Sequence, residues 1–307
     1  MNKVELPACF STLIKGGITL YIKKEYELRL SAQDLDRLLN LHKDADKLNA
    51  SYHGRIPCKT FTMESLDNES FVVRDYWHGG LFGKILRDIF WNRLRPLREL
   101  SICEAAGKSG IKTTEVIAIV KNKILGPLYK CQLVSREITG AIDLMELLLH
   151  PEKNKLVVQK RHIVNRVAKA VKEMHDAGIY HADLHLKNVL VQFTEGGSVD
   201  VYIIDLDKSI LYDKINFHKR MCNIMRLDRS LEKLKKNARN GFLVTNTDKM
   251  RFLREYIKLV YNTEQHSYVG QKEFLKSCLM NYRTNHKSHR FWWLMMDGRF
   301  WKQFSYF

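Results

Sequence analysis

The stretch Ile179-Tyr180-His181-Ala182-Asp183-Leu184-His185-Leu186-Lys187-Asn188-Val189-Leu190-Val191, with Val201-Tyr202-Ile203-Ile204-Asp205-Leu206-Asp207 after it, decides how this chain reads. Its pattern is H-x-D-L-x-x-x-N, then an apolar strand ending in Asp. Moving a phosphoryl group from ATP to a hydroxyl asks little covalent chemistry of a protein. It needs a carboxylate beside the hydroxyl and oxygen ligands for the metals that bridge the phosphates. In those roles Asp183 accepts or orients the hydroxyl proton, Asn188 and Asp205 hold Mg²⁺, and His181 braces the loop. Asp207 is either a second metal ligand or a cap for the next helix. An arbitrary polar turn can match one short motif, but four fixed residues, the preceding amphipathic run and the strand-end Asp agree here.

Working outward, residues 157–177 form an amphipathic helical run that ends at Gly178, as a left-handed C-cap does. Residues 188–193 and 200–204 read as short strands around the hairpin signal Thr194-Glu195-Gly196-Gly197-Ser198. Residues 143–149 and most of the chain after 207 read as helical. Upstream, residues 18–26 and 60–76 alternate apolar and polar side chains, and the turn-rich 66–70 breaks the second stretch into a hairpin. Residues 82–107 have helical spacing that Pro96 should split. Residues 115–121 and 128–138 read as strands joined at Gly126-Pro127. The result is an α+β chain with a boundary near 140: four or five strands and a helix over 1–140, then a helical part over 141–307. No repeat or Pro/Ser-rich linker separates the two.

Composition limits the partners. With 51 Lys+Arg against 34 Asp+Glu, the 307-residue chain has a formal charge of +17, which favours a polyanion: nucleic acid, an anionic membrane surface or a phosphorylated substrate. The six cysteines are scattered without a C-x-x-C pair, so they predict reduced thiols rather than a zinc site or disulfide framework. No signal-peptide pattern opens the sequence, and no run of about 18 apolar residues occurs. The expectation is a cytoplasmic protein that does not span a membrane. Residues 214–239 hold nine cations, Arg226, Arg229 and Lys233 among them, against two acids. Residues 291–307 hold eight aromatics, either core of the helical part or a membrane-interface segment.

Further motifs narrow the reading. They are His53-Gly54-Arg55, Val72-Val73-Arg74-Asp75-Tyr76-Trp77-His78-Gly79-Gly80-Leu81, Arg98-Glu99-Leu100, Arg136-Glu137-Ile138-Thr139-Gly140 and Asn223-Ile224-Met225-Arg226-Leu227-Asp228-Arg229-Ser230-Leu231. Together with the catalytic loop they resemble the lipopolysaccharide core kinases, the Kdo (3-deoxy-D-manno-octulosonic acid) and heptose kinases, over about residues 51–252. The resemblance implies a protein-kinase-like two-lobed fold, with a nucleotide-binding N-lobe over 1–140 and a C-lobe over 141–307 that carries the catalytic loop and acceptor site.

The resemblance also implies roles. Arg74 falls where such folds place a strand cation on the nucleotide phosphates, and Glu99 where a helix acid pairs with that cation. A surface ion pair across strands is the plainer alternative for Arg74. Gly54 and Glu137 fall at nucleotide-contacting positions, although a lone Gly is as readily an ordinary turn. Arg226, Arg229 and Lys233 become the acceptor-binding cations. Ala182 stands where protein kinases carry the Arg that reads a phosphorylated activation loop, and Asp205-Leu206-Asp207 lacks the usual Gly; both point away from a protein acceptor.

The expected protein is therefore an ATP- and Mg²⁺-dependent kinase acting on a sugar hydroxyl of a phosphorylated glycolipid, lipid A–core. It would work at the cytoplasmic face of the inner membrane, in peripheral contact with that anionic surface and without nucleic acid. Two other readings stay open: an atypical RIO-like protein kinase whose charge serves RNA, and a catalytically inactive nucleotide-binding scaffold.

Overall fold

A computed structural model of the chain describes residues 5–41, 49–52, 58–77, 88–91, 94–150, 156–237 and 244–263, together with Met280. The chain divides into two compact units: Met1–Ala141 with Ile204–Ser209, and Ile142–Ile203 with Ile210–Phe307. The segment that holds Asp205 and Asp207 thus clusters with the N-terminal unit, which a single boundary near 140 does not anticipate.

The first unit is built on a seven-stranded antiparallel sheet of β1 (Phe10–Lys15), β2 (Ile18–Lys23), β3 (Asn49–Tyr52), β4 (Cys58–Met63), β5 (Glu69–Asp75), β6 (Val116–Leu125) and β7 (Leu128–Arg136). The strand order is β1-β2-β6-β7-β5-β4-β3. This exceeds the four or five strands expected, because β1 and β3 are short edge strands whose alternation is weak. A one-turn helix α1 (Lys24–Glu27) and then α2 (Ala32–Asn40) follow β2. The Ser31 hydroxyl caps α2 by accepting the Asp34 N–H at 3.0 Å. Leu38, Leu39 and Leu41 close over the core that Leu20, Ile22, Phe61, Met63, Phe71 and Val73 send from the sheet. Between β4 and β5, Asp67 and Asn68 both take the left-handed conformation, which is how the turn at 66–70 reverses the chain.

The helix α3 (Leu94–Lys108) packs on β6. Pro96 does not split it. Proline at the third helical position has no intrahelical N–H bond to lose, so it is accommodated in the first turn. In register, Arg74 of β5 lies opposite Leu133 of β7, and Asp75 opposite Gln132.

In the second unit, β8 (Ala141–Asp143) leads into α4 (Leu144–Leu149), whose cap is the Asp143 carboxylate accepting the Glu146 N–H at 2.8 Å. The amphipathic run becomes α5 (Leu156–Asp176) and stops at Gly178, where φ is +77°. A Cβ there would lie 1.9 Å from the Tyr212 carbonyl oxygen, so both the conformation and the close approach require glycine. That approach joins β9 (Ile179–Tyr180) to β12 (Ile210–Leu211). The catalytic-loop sequence runs from β9 through a 3₁₀ turn at Leu186–Asn188 into β10 (Val189–Phe193), which pairs with β11 (Val199–Ile203). Two long helices follow, α6 (Phe217–Asn237) and α7 (Asn246–Thr263), the latter packed on α5. Among the described residues no helix is long and apolar enough to cross a membrane. Gly54 and residues 291–307 lie outside the described residues.

Candidate active site

Within the first unit, β5 delivers Arg74 and α3 delivers Glu99, and the two side chains form an ion pair. The other guanidinium nitrogen of Arg74 pairs with Asp205. One cation therefore bridges the helix acid and the strand-end Asp, and the surface-pair reading of Arg74 is overturned. Glu99 is only 2% exposed, and Tyr76 donates its hydroxyl to Glu99 Oε2 at 2.6 Å. Burial lifts the Glu99 carboxyl to about 7; Asp207 and Asp205 push the same way, opposed by Arg74. Burial opposes the charge of Arg74, but Glu99 and Asp205 outweigh it and hold the guanidinium firmly cationic.

Asp205 has φ of +62°, a left-handed conformation that among non-glycine residues Asp and Asn tolerate best. It lets the chain turn sharply at the strand end while its carboxylate stays 39% exposed. Asp207 does not cap a helix but is held in an ion pair. Arg95 of α3 grips both its oxygens, at 2.8 and 2.5 Å, and stacks its guanidinium over Tyr76 and Phe90. Arg95 escaped the sequence reading because it sits in a run of cations, Arg93 to Arg98, with nothing to single it out.

Within the second unit, His181 is buried, and its Nδ1 accepts the Asp183 N–H at 3.1 Å. The bracing role expected of it therefore has a geometry. The Asp183 carboxylate projects outward, 59% exposed, with His185 Nε2 3.8 Å away. Asn188 donates from Nδ2 to the Asp183 carbonyl at 2.9 Å, which leaves its Oδ1 as the oxygen for a cation. Oxygen donors suit Mg²⁺, which binds through one or two protein oxygens and substrate phosphates. No cluster of three His, Cys, Asp or Glu able to hold a metal occurs among the described residues, so a dedicated protein cage is not what these residues build.

The basic helix behaves less uniformly than its composition. Arg226 and Arg229 are half-buried, and burial together with the neighbouring Arg226 lowers the pKa of Arg229. Lys233 is exposed. Both acids of the segment, Asp228 and Glu232, pair with Lys249 of α7. Arg220 is committed to Asp176 at 2.7 Å. The backbone N–H of Glu137 donates to the Ser70 carbonyl at 2.9 Å and is not free for a ligand.

A catalytic-loop His-x-Asp with its Asn, a strand cation salt-bridged to a helix glutamate, and a strand-end Asp together define a kinase-like protein. The chain belongs to the lipopolysaccharide kinase (Kdo/WaaP) family, whose model matches residues 55–256. It is 32% identical over 166 residues to a 3-deoxy-D-manno-octulosonic acid kinase of Vibrio cholerae serotype O1, a match covering 53% of this chain and 65% of that one, just under two thirds of its length. A kinase of the same description from Vibrio parahaemolyticus is 29% identical over 62% of this chain and 75% of its own. Among solved structures, a WaaP in complex with acyl carrier protein aligns at 20% identity and TM-score 0.49, over 82% of this chain and 98% of that one.

Proposed function

We propose that the protein is an ATP-dependent kinase that phosphorylates a sugar hydroxyl, on Kdo or a heptose, of the lipopolysaccharide inner core. The observation that carries this reading is the loop geometry: Asp183 stands exposed on a backbone fixed by His181 and Asn188, so its carboxylate is free to orient an acceptor hydroxyl. Arg74, held cationic between Glu99 and Asp205, fits the nucleotide phosphates, to which Arg forks bidentately. Asn188 and Asp205 are the residues that would hold Mg²⁺, which when bound neutralises charge on the phosphates. Arg226, Arg229 and Lys233 supply positive charge suited to a phosphorylated glycolipid and to an anionic membrane surface, with the protein peripheral at the cytoplasmic face of the inner membrane.

The test is incubation of purified protein with ATP, Mg²⁺ and Kdo–lipid A, with the product read by mass spectrometry. A lipid heavier by one phosphate is expected, and its loss when Arg226, Arg229 and Lys233 are all changed to Glu. An unmodified lipid, together with RNA binding that these reversals weaken and whose log–log salt slope they flatten, would move the charge to nucleic acid.

A further inference from the structure

We propose that Tyr76 is a positioning residue that couples two ion pairs, Arg74 with Asp205 and Arg95 with Asp207, so that neither aspartate moves alone. This rests on the kinase reading above. Side chains two apart on an extended chain share a face, as do those four apart on a helix. Arg74 and Tyr76 therefore leave the end of β5 together, and Arg95 and Glu99 leave α3 together. The four meet around one phenol: its hydroxyl donates to Glu99 Oε2 at 2.6 Å, and its ring centroid lies 5.4 Å from Arg74 Cζ and 5.2 Å from Arg95 Cζ. Both distances are those of a cation drawn to an aromatic face. Phe90 packs against the same ring in a T at 6.3 Å, and the Tyr76 N–H donates to the Cys131 carbonyl at 2.9 Å, so the phenol is itself held in place. All of these residues, with Asp205 and Asp207, belong to the first unit.

Glu99 needs two donors, because it is 2% exposed and a buried carboxylate oxygen left bare is costly. Arg74 supplies one, to Oε1, and Tyr76 supplies the other, to Oε2. Burial and the neighbouring Glu99 hold the Tyr76 pKa well above its ordinary 10, so the phenol keeps its proton and donates at neutral pH. Removing the hydroxyl leaves Glu99 to swing towards Arg74 alone. Removing the ring takes from both guanidiniums the surface that sets their spacing, although Arg95 also lies over Phe90 at 4.8 Å. The two arginines in turn hold Asp205 and Asp207, which tie down both ends of a three-residue stretch. Tyr76 thus acts through Arg74 and Arg95, and its effect falls on the Mg·ATP that Arg74 and Asp205 would bind.

The experiment is calorimetric titration of Mg·ATP into the full chain carrying Tyr76→Phe, Tyr76→Leu, Arg95→Met, or Tyr76→Leu together with Arg95→Met. Alongside it, NMR follows hydrogen exchange of the Arg95 Nε–H, which donates to Asp207. Tyr76→Leu should weaken Mg·ATP binding roughly 10-fold, and Tyr76→Phe, which keeps the ring, about two- to threefold. Because Tyr76 and Arg95 support the same stretch, the double variant should bind within about threefold of Arg95→Met, far short of the product of two independent losses. Exchange of the Arg95 Nε–H should accelerate in Tyr76→Leu and stay near wild type in Tyr76→Phe. Wild-type affinity in Tyr76→Leu, losses that multiply in the double variant, or an unchanged Arg95 signal would overturn the coupling. Should Tyr76→Leu fail to fold, a cycle of Tyr76→Phe with Glu99→Gln decides: non-additive losses of Mg·ATP affinity are expected, and additive ones overturn the coupling. If the wild type binds no Mg·ATP, the kinase reading fails, while the Arg95 signal still decides the coupling.

Discussion

Arg95 holds Asp207 by two parallel hydrogen bonds, Nε–H to Oδ1 at 2.8 Å and Nη2–H to Oδ2 at 2.5 Å. Two residues before Asp207 stands Asp205, left-handed and paired with Arg74, so the fork on Asp207 anchors the short segment that presents Asp205. Arg95→Met should leave the fold intact but weaken Mg·ATP binding by about 10-fold, the usual consequence of loosening a residue behind a metal ligand. Arg95→Lys should fall between, because an ammonium cannot fork. Calorimetric titration of Mg·ATP into each variant checks this; wild-type affinity in Arg95→Met would remove the anchor from the account.

Arg74 and Glu99 should behave as a coupled pair. In a double-mutant cycle with Arg74→Met and Glu99→Gln, read on KM for ATP, the expected coupling is on the order of 0.5–3 kcal/mol. Strict additivity would mean that the ion pair does not orient the guanidinium for the nucleotide.

His175 predicts a pH dependence of stability. Burial pushes its pKa from the ordinary 6.5 down to about 3, with Arg220 adding to the fall against the Asn223 hydrogen bond. A base with a depressed folded pKa is protonated in the unfolded chain before the folded one, so stability is full above about 6.5 and is lost progressively as pH falls towards 3. Between pH 7 and 5 the loss attributable to this ring is about 2 kcal/mol. Urea unfolding of wild type and His175→Gln at both pH values isolates it. The difference in stability between the two proteins should shift by that amount, and equal pH slopes would contradict a buried neutral imidazole.

The catalytic loop was legible because its chemistry depends on residue identity at fixed spacing, and His181, Asp183 and Asn188 do meet in one hydrogen-bonded turn. Asp205 was legible from the strand-end motif, whereas Arg74 and Glu99 were legible only through the family resemblance, since 131 positions separate Arg74 from Asp205 and nothing local announces their contact. Long amphipathic helices such as α5 and strands with clear alternation such as β5 declared themselves. The edge strands β1 and β3 did not, because they are short and their apolar alternation is weak. Pro96 misled: its position within the first turn, rather than its presence, decides whether a helix breaks. The ion pair of Asp207 was not legible, because its partner Arg95 is distant in sequence and one cation among several.

The roles of Asp183 and Asp205 in phosphate transfer are tested by the initial rate of transfer from ATP to Kdo–lipid A by wild type, Asp183→Ala and Asp205→Ala, with Mg·ATP affinity measured alongside. Each variant should be slower by roughly 10²–10⁴-fold; Asp183→Ala should bind Mg·ATP almost normally, and Asp205→Ala should bind it weakly. Transfer at the wild-type rate by Asp183→Ala would contradict the role of Asp183.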